Sequence, residues 1–169
     1  MKKQYQKFKL IIGLVFFTIS IFLFLAFNSH WEFGLGDQSE IIGLDKNYEN
    51  TNNILGGLGA LISEVLIRFF GLSAYVIISI LILTSIKIIF NPKKIKLIQN
   101  IIEHIFFILW LSLFFSLFNT KTIAGKLGIM MYESLITFIG QAGIIIIITL
   151  SLVTFFIIRF DIQKKNIIK

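Results

Sequence analysis

The chain has no cysteine and a single proline in 169 residues. The first absence excludes a disulfide framework, a thiolate metal site and a cysteine nucleophile. The second leaves few places where a helix is forced to stop. Charged residues make up only 15% of the chain, and four long apolar runs carry essentially none in their interiors. Ion and proton carriers generally place ionisable groups inside their spans. That lack counts against a small four-span transporter or channel subunit, which stands as the alternative reading. Catalytic signatures are missing too: there is no H-E-x-x-H, no paired histidine for a metal and no G-x-S-x-G. Ala124-Gly125-Lys126 looks like the end of a phosphate loop. However, Thr120 stands where that pattern needs its first glycine, and Leu127 where it needs Ser or Thr. No enzyme, cofactor or metal site is expected.

What is present is apolar surface. The chain is 56% hydrophobic with 19 Phe, and its mean hydropathy is +0.88. A soluble domain of this size does not carry so much, so the expectation is an all-α integral membrane protein in the lipid bilayer. The net charge is +7. Twelve of the sixteen basic residues flank membrane ends: Lys2, Lys3, Lys7, Lys9, Lys87, Lys93, Lys94, Lys96, Arg159, Lys164, Lys165 and Lys169. This is the positive-inside pattern. It predicts a bacterial cytoplasmic (inner) membrane protein with both termini cytoplasmic. The basic excess is read as topology and attraction to anionic lipid, with no direct nucleic-acid binding.

In order, a basic tail at 1–9 precedes a charge-free first span at 10–27, long enough to cross. Phe27-Asn28-Ser29-His30 lacks a small-residue cleavage site, so the span is expected to stay. An extracytoplasmic loop follows at 28–53, with Glu32, Asp37, Glu40, Asp45 and Glu49 against Lys46. Their spacing lacks the order of a calcium loop, and Trp31 and Phe33 suit an interfacial aromatic belt. Then come an amphipathic helix at 55–70, a second span at 72–90, a cytoplasmic turn at 91–99 around Asn91-Pro92, and a third span at 100–118. Glu103 and His104 stand in its first turns. A second amphipathic helix at 126–139, a fourth span at 141–159 and a cytoplasmic tail at 160–169 complete the single membrane domain.

The stretch beginning at Asn53 returns 69 positions later without a gap. Gly56 registers on Gly125, Gly59 on Gly128, Glu64 on Glu133, Phe69 on Phe138 and Gly71 on Gly140. Apolar bias aligns isoleucines and leucines easily; it does not align three glycines and a glutamate. The chain therefore reads as two parallel repeats, each a span, a short amphipathic outer-leaflet helix and a second span. In the first copy the apolar positions 58, 61, 62, 65, 66, 69 and 70 form one helical stripe, with Ser63, Glu64 and Arg68 on the other side. A straight helix over 54–90 would be roughly 55 Å long at about 1.5 Å per residue, against a hydrocarbon core of about 30 Å. Gly71 and Gly140 are the expected breaks. For Gly56, Gly57 and Gly59, close backbone packing and a flexible helix start both stand. Glu64, Arg68 and Glu133 are expected on the wet face of interfacial helices, or in contact with a partner protein or a neighbouring protomer.

Asn53-Ile54-Leu55-Gly56-Gly57-Leu58-Gly59-Ala60, followed by Phe69-Phe70-Gly71-Leu72-Ser73-Ala74-Tyr75, resembles the N-terminal four-span domain of the FtsK/SpoIIIE septal DNA translocases. Gly125-Lys126-Leu127-Gly128 and Gly140-Gln141-Ala142-Gly143 resemble that domain's second glycine pair. A proline common inside the family's second span is absent, with Ser79 and Ile80 in its place. The resemblance implies a septal membrane anchor acting in chromosome segregation and cell division. It also implies a homo-oligomer, partners among cell-division proteins, and a DNA-translocase motor carried on a cytoplasmic linker. This sequence holds no linker, ATP site or DNA-reading domain, so the expectation is an excised membrane part or a stand-alone version of it.

Overall fold

The computed structural model describes residues 2–42, 51–93, 95–118 and 120–160. Five helices follow in order: α1 (Lys2–Ile42), α2 (Gly56–Phe70), α3 (Tyr75–Phe90), α4 (Leu97–Ser116) and α5 (Lys121–Phe160). A 3-10 turn at Gly71–Ala74 joins α2 to α3. Among the described residues there is no strand. Four stretches are long and apolar enough to cross a membrane: Gln4–Phe33, Gly56–Phe90, Leu97–Ser116 and Thr122–Phe160. The molecule is an all-α, four-span membrane protein.

The four expected landmarks of the repeat carry the same backbone signature. Gly56, Gly71, Gly125 and Gly140 all hold positive φ, between 63° and 68°. At Gly71 the chain leaves the helix with ψ −143°. At Gly125 and Gly140 it leaves with ψ 170° and 175°, which divides α5 into three pieces. Only glycine reaches this region without strain, because any Cβ would collide with its own backbone. Asn91 also has positive φ and ends α3, its N–H bonded to the Lys87 carbonyl at 3.0 Å. Pro92 follows it, so the helix cannot resume.

Two features differ from the sequence-based expectation. The first helix does not stop at Phe27. It continues through Ile42, into what reads as a polar loop; of that loop, residues 43–50 lie outside the described part, as does most of the 160–169 tail. Asn28 and Ser29, just after Phe27, serve helix packing rather than a turn. Ser29 Oγ accepts the Ile54 N–H at 3.0 Å, and Asn28 Oδ1 accepts the Tyr75 hydroxyl at 3.0 Å. Gly34 and Gly36 weaken a helix by about 1 kcal/mol each, but neither removes a backbone donor as proline would.

The second difference is the facing of α2. Its buried residues are Gly59, Ala60, Ser63, Glu64 and Ile67, while Leu58, Leu61, Val65 and Phe69 are exposed. The small and polar side points into the protein, and the apolar stripe is divided: Ile62, Leu66 and Phe70 pack against the core, and the rest of the stripe points outward. A polar side turned inward is the reverse of a helix folded in water. It is what a lipid surround selects, where backbones approach over small residues and apolar side chains meet acyl chains.

The two repeats form two packed units. In the first, α1 packs along α3 and α2 around Leu23, Ala26, Phe27, Ile67, Ala74 and Ile78. Phe27 and Tyr75 meet edge to face at 5.4 Å. The buried residues Gly13, Ser20, Leu23, Phe27 and His30 trace one helical stripe of α1. At Gly13 a side chain would overlap Ile89, and the Gly13 carbonyl accepts Ser85 Oγ at 2.8 Å. In the second unit, α4 packs along α5 around Leu113, Ile144 and Ile148, with Trp110 Nε1 donating to the Ile148 carbonyl at 3.0 Å. At the Asn91 end of this unit, Arg159 Nε lies 3.3 Å from Glu103 Oε1.

Candidate functional site

Asn53 sets the start of the first unit. Its side chain is buried, donates to the Ala26 carbonyl at 3.1 Å and accepts the Leu55 N–H at 3.1 Å. Its own carbonyl accepts the Gly56 N–H at 2.7 Å. A methyl at Gly59 would overlap the Asn53 amide, so Gly59 is the space into which Asn53 folds back. The N-x-x-G-x-x-G-A pattern thus has one local cause. Asn ties the segment to α1, the first glycine turns the chain, and the second admits the Asn. The buried Ala60 then lies against the bundle.

The counterparts Gly125 and Gly128 solve a different packing problem. A methyl at Gly128 would overlap the Ser112 carbonyl of α4, so the glycine lets α5 cross α4 at backbone distance. A methyl at Gly125 would overlap the Gly71 nitrogen and the Phe69–Phe70 backbone. One at Gly71 would overlap the Ile123, Ala124 and Gly125 backbone. The trailing glycine of the first unit is therefore seated on the leading glycine of the second. Beside this contact, Ser73 Oγ and Ser112 Oγ share a hydrogen bond of 2.7 Å, and Ser112 Oγ donates to the Phe70 carbonyl at 3.3 Å.

Around the junction lies a polar concavity. It is an open cleft of about 600 Å³ lined by His30, Glu64, Ile67, Arg68, Thr122, Lys126, Ile129, Met130 and Glu133. Glu64, 3% exposed, is its floor. Oε1 lies 3.3 Å from Arg68 Nε, one helical turn on, and Oε2 lies 3.9 Å from His30 Nδ1. Arg68 reaches toward the mouth with more than half its side chain exposed. Glu133 and Lys126 stand on the opposite wall.

The three charged residues singled out from sequence therefore line one site, but not in one role. Glu64 does not sit on a wet face; it is enclosed by its own chain. Glu133, at the matched position, is exposed. His30 and Lys126 were not singled out as members of the site. The one stood in an apparent loop and the other in a rejected phosphate-loop pattern. The signal that finds His30 is its place on the buried stripe of α1.

Chemically, the cleft gathers two carboxylates, Glu64 and Glu133, with the basic side chains Arg68 and Lys126 and the His30 imidazole. Among the described residues, no three His, Asp or Glu side chains converge as metal ligands. The arrangement can fix helix positions by ion pairing and can present charge at its mouth.

No curated protein and no solved structure matches the chain. The sequence does match the family described as the 4TM region of DNA translocase FtsK/SpoIIIE, over residues 6–169. With four apolar spans and both glycine pairs in place, the chain belongs to the FtsK/SpoIIIE four-transmembrane family.

Proposed function

We propose that this chain is a non-enzymatic membrane anchor that positions a DNA-translocase motor at the division septum of a bacterial cytoplasmic membrane, with both termini cytoplasmic. The observation that carries the reading is the family match from residue 6 to residue 169. The clustering of basic residues at one set of helix ends supports the orientation. On this reading the anchor self-associates, meets division proteins at its extracytoplasmic end, and works by helix packing rather than by catalysis. Two features of the structure support that role. Its polar side chains tie helices together, and its apolar side chains face outward over most of the length of α1 and α5.

The test is localisation. The chain fused to a fluorescent protein, with no motor domain attached, is expected to gather at mid-cell in dividing bacteria. Even fluorescence over the whole membrane from an intact fusion overturns septal targeting by this chain. Cysteines placed at Ser39 and Lys94 are expected to label oppositely with an impermeant thiol reagent in intact cells. Labelling at Lys94 alone reverses the orientation.

A further inference from the structure

The glycine contact between the two units is head to tail. Gly71, at the end of α2, meets Gly125, at the start of the second repeat. Each of these glycines has a counterpart 69 residues away, and neither counterpart has such a contact. Beside Gly140 and beside Gly56, no described atom lies within 4 Å of where a side chain would begin. Gly71 and Gly125 are buried, whereas Gly56 is exposed and Gly140 half-buried. The flanking residues follow suit. Phe138, counterpart of Phe69, is 85% exposed, and Ile54, counterpart of Ile123, is 67% exposed. The turn that the chain packs once, internally, thus recurs with open space beside it at both ends.

We propose that copies of this chain assemble head to tail in the bilayer, the Gly140 turn of one copy seated on the Gly56 turn of the next, as Gly71 is seated on Gly125 within the chain. The occupant is a second copy because the matching surface already exists on this chain and is already used. Translated by the repeat, the internal contact predicts Gly140 against the Ile54–Gly56 backbone of the neighbour, and Gly56 against the neighbour's Phe138–Gly140. The two repeats run in the same direction across the membrane. The operation relating them therefore keeps the membrane direction, and repeating it stays in the bilayer plane. A heterologous contact of this kind closes as a ring or continues as an arc. Such contacts between membrane helices form where glycine lets backbones touch. The inference rests on the repeat geometry and not on the septal reading: a chain spread evenly over the membrane would still pair this way, and a chain gathered at mid-cell would not have to.

The native absence of cysteine makes the test clean. Full-length Ile54→Cys and Phe138→Cys chains are co-expressed, and membranes are treated with a flexible bismaleimide. A two-chain product is expected from the mixture and from neither variant alone; the double variant is expected to give a ladder whose upper limit reads the number of copies. A two-chain product from either single variant alone would show a two-fold contact and overturn the proposal, as would no product from the mixture. Should a cysteine variant fold poorly, Phe138→Lys supplies the second measurement. In nanodiscs it is expected to weaken self-association by about tenfold or more, with Ile98→Lys, on an exposed residue far along the chain, leaving it unchanged. Equal association of Phe138→Lys and the native chain would overturn the proposal.

Discussion

The two repeats share a register but not an environment. Glu64 is enclosed beside Arg68 and His30, whereas Glu133 stands exposed across the cleft. Gly71 is locked against backbone, whereas Gly140 faces open space with nearly the same φ. The same local sequence therefore folds to the same turn in both places, and what differs is supplied by neighbours. The positive φ belongs to the repeat. The burial belongs to the junction, which only the first unit's trailing end and the second unit's leading end possess.

The largest expected effect comes from adding one methyl at these turns. Gly71→Ala faces two costs. The backbone region is nearly closed to a residue with a Cβ, at about 1–3 kcal/mol. The new methyl also overlaps main-chain atoms of Ile123, Ala124 and Gly125, which cannot rotate away. Gly140→Ala faces only the first cost. Measured on dispersed monomer in detergent, Gly71→Ala is expected to lose more than about 4 kcal/mol or fail to fold, and Gly140→Ala to lose about 1–3 kcal/mol. Gly125→Ala is expected to behave like Gly71→Ala. Equal losses at Gly71 and Gly140 would show that the turn alone, and not the junction, sets the difference.

A smaller effect is expected from the charges. Arg68→Met removes the guanidinium that lies 3.3 Å from the buried Glu64 carboxylate, on the side away from His30 Nδ1 at 3.9 Å. Removing a charged hydrogen-bond partner from a buried carboxylate costs about 1–3 kcal/mol. Solvent at the cleft mouth screens the half-exposed Arg68, which places the expected loss in the lower part of that range. Glu133→Gln, at an exposed position, is expected to stay within about 0.5 kcal/mol. Thermal unfolding of the two variants in the same detergent checks the pair. A larger loss at Glu133 would mean that the second repeat carries the structural charge.

Much of the architecture was legible because two physical signals are local. Apolar run length reports the spans, and glycine at matched positions reports the turns. The extent of α1 was not legible: an apolar run measures how far lipid reaches, and a helix continues past it wherever its backbone bonds remain satisfied. Nor was the facing of α2. The 3.6-residue stripe was visible from Leu58 to Phe70, but periodicity gives two faces without saying which solvent meets which. Of the cleft, Glu64 and Arg68 were visible as a one-turn pair. His30 could join them only once α1 was known to continue as a packed helix beyond Phe27. The unequal burial of Glu64 and Glu133 has no trace in the sequence around them, because it depends on what packs alongside: His30 of α1 stands against Glu64.

The smallest effect tests whether the junction is held by more than shape. Ser73 Oγ and Ser112 Oγ are 2.7 Å apart across it, and both lie within reach of the Phe70 carbonyl, at 2.7 and 3.3 Å respectively; with one proton each, one serine donates to the other and the second donates to the carbonyl. The residue that matches Ser73 in the second repeat is Ala142, which has no hydroxyl. Ser73→Ala thus gives the internal junction the composition of the open end. Hydrogen bonds between membrane helices average about 0.6 kcal/mol, since the separated helices find other partners. A double-mutant cycle with Ser73→Ala and Ser112→Ala is expected to return a coupling of that size, while either single change leaves the fold intact. The carbonyl bond that each serine keeps when the other is removed limits the loss. A coupling indistinguishable from zero would assign the junction to glycine packing alone, so that Ala142 in place of serine leaves a Gly140–Gly56 contact between copies no weaker than the internal one. A coupling well above 1 kcal/mol would mean that the serine pair reinforces the internal contact, and that the contact between copies is the easier of the two to open.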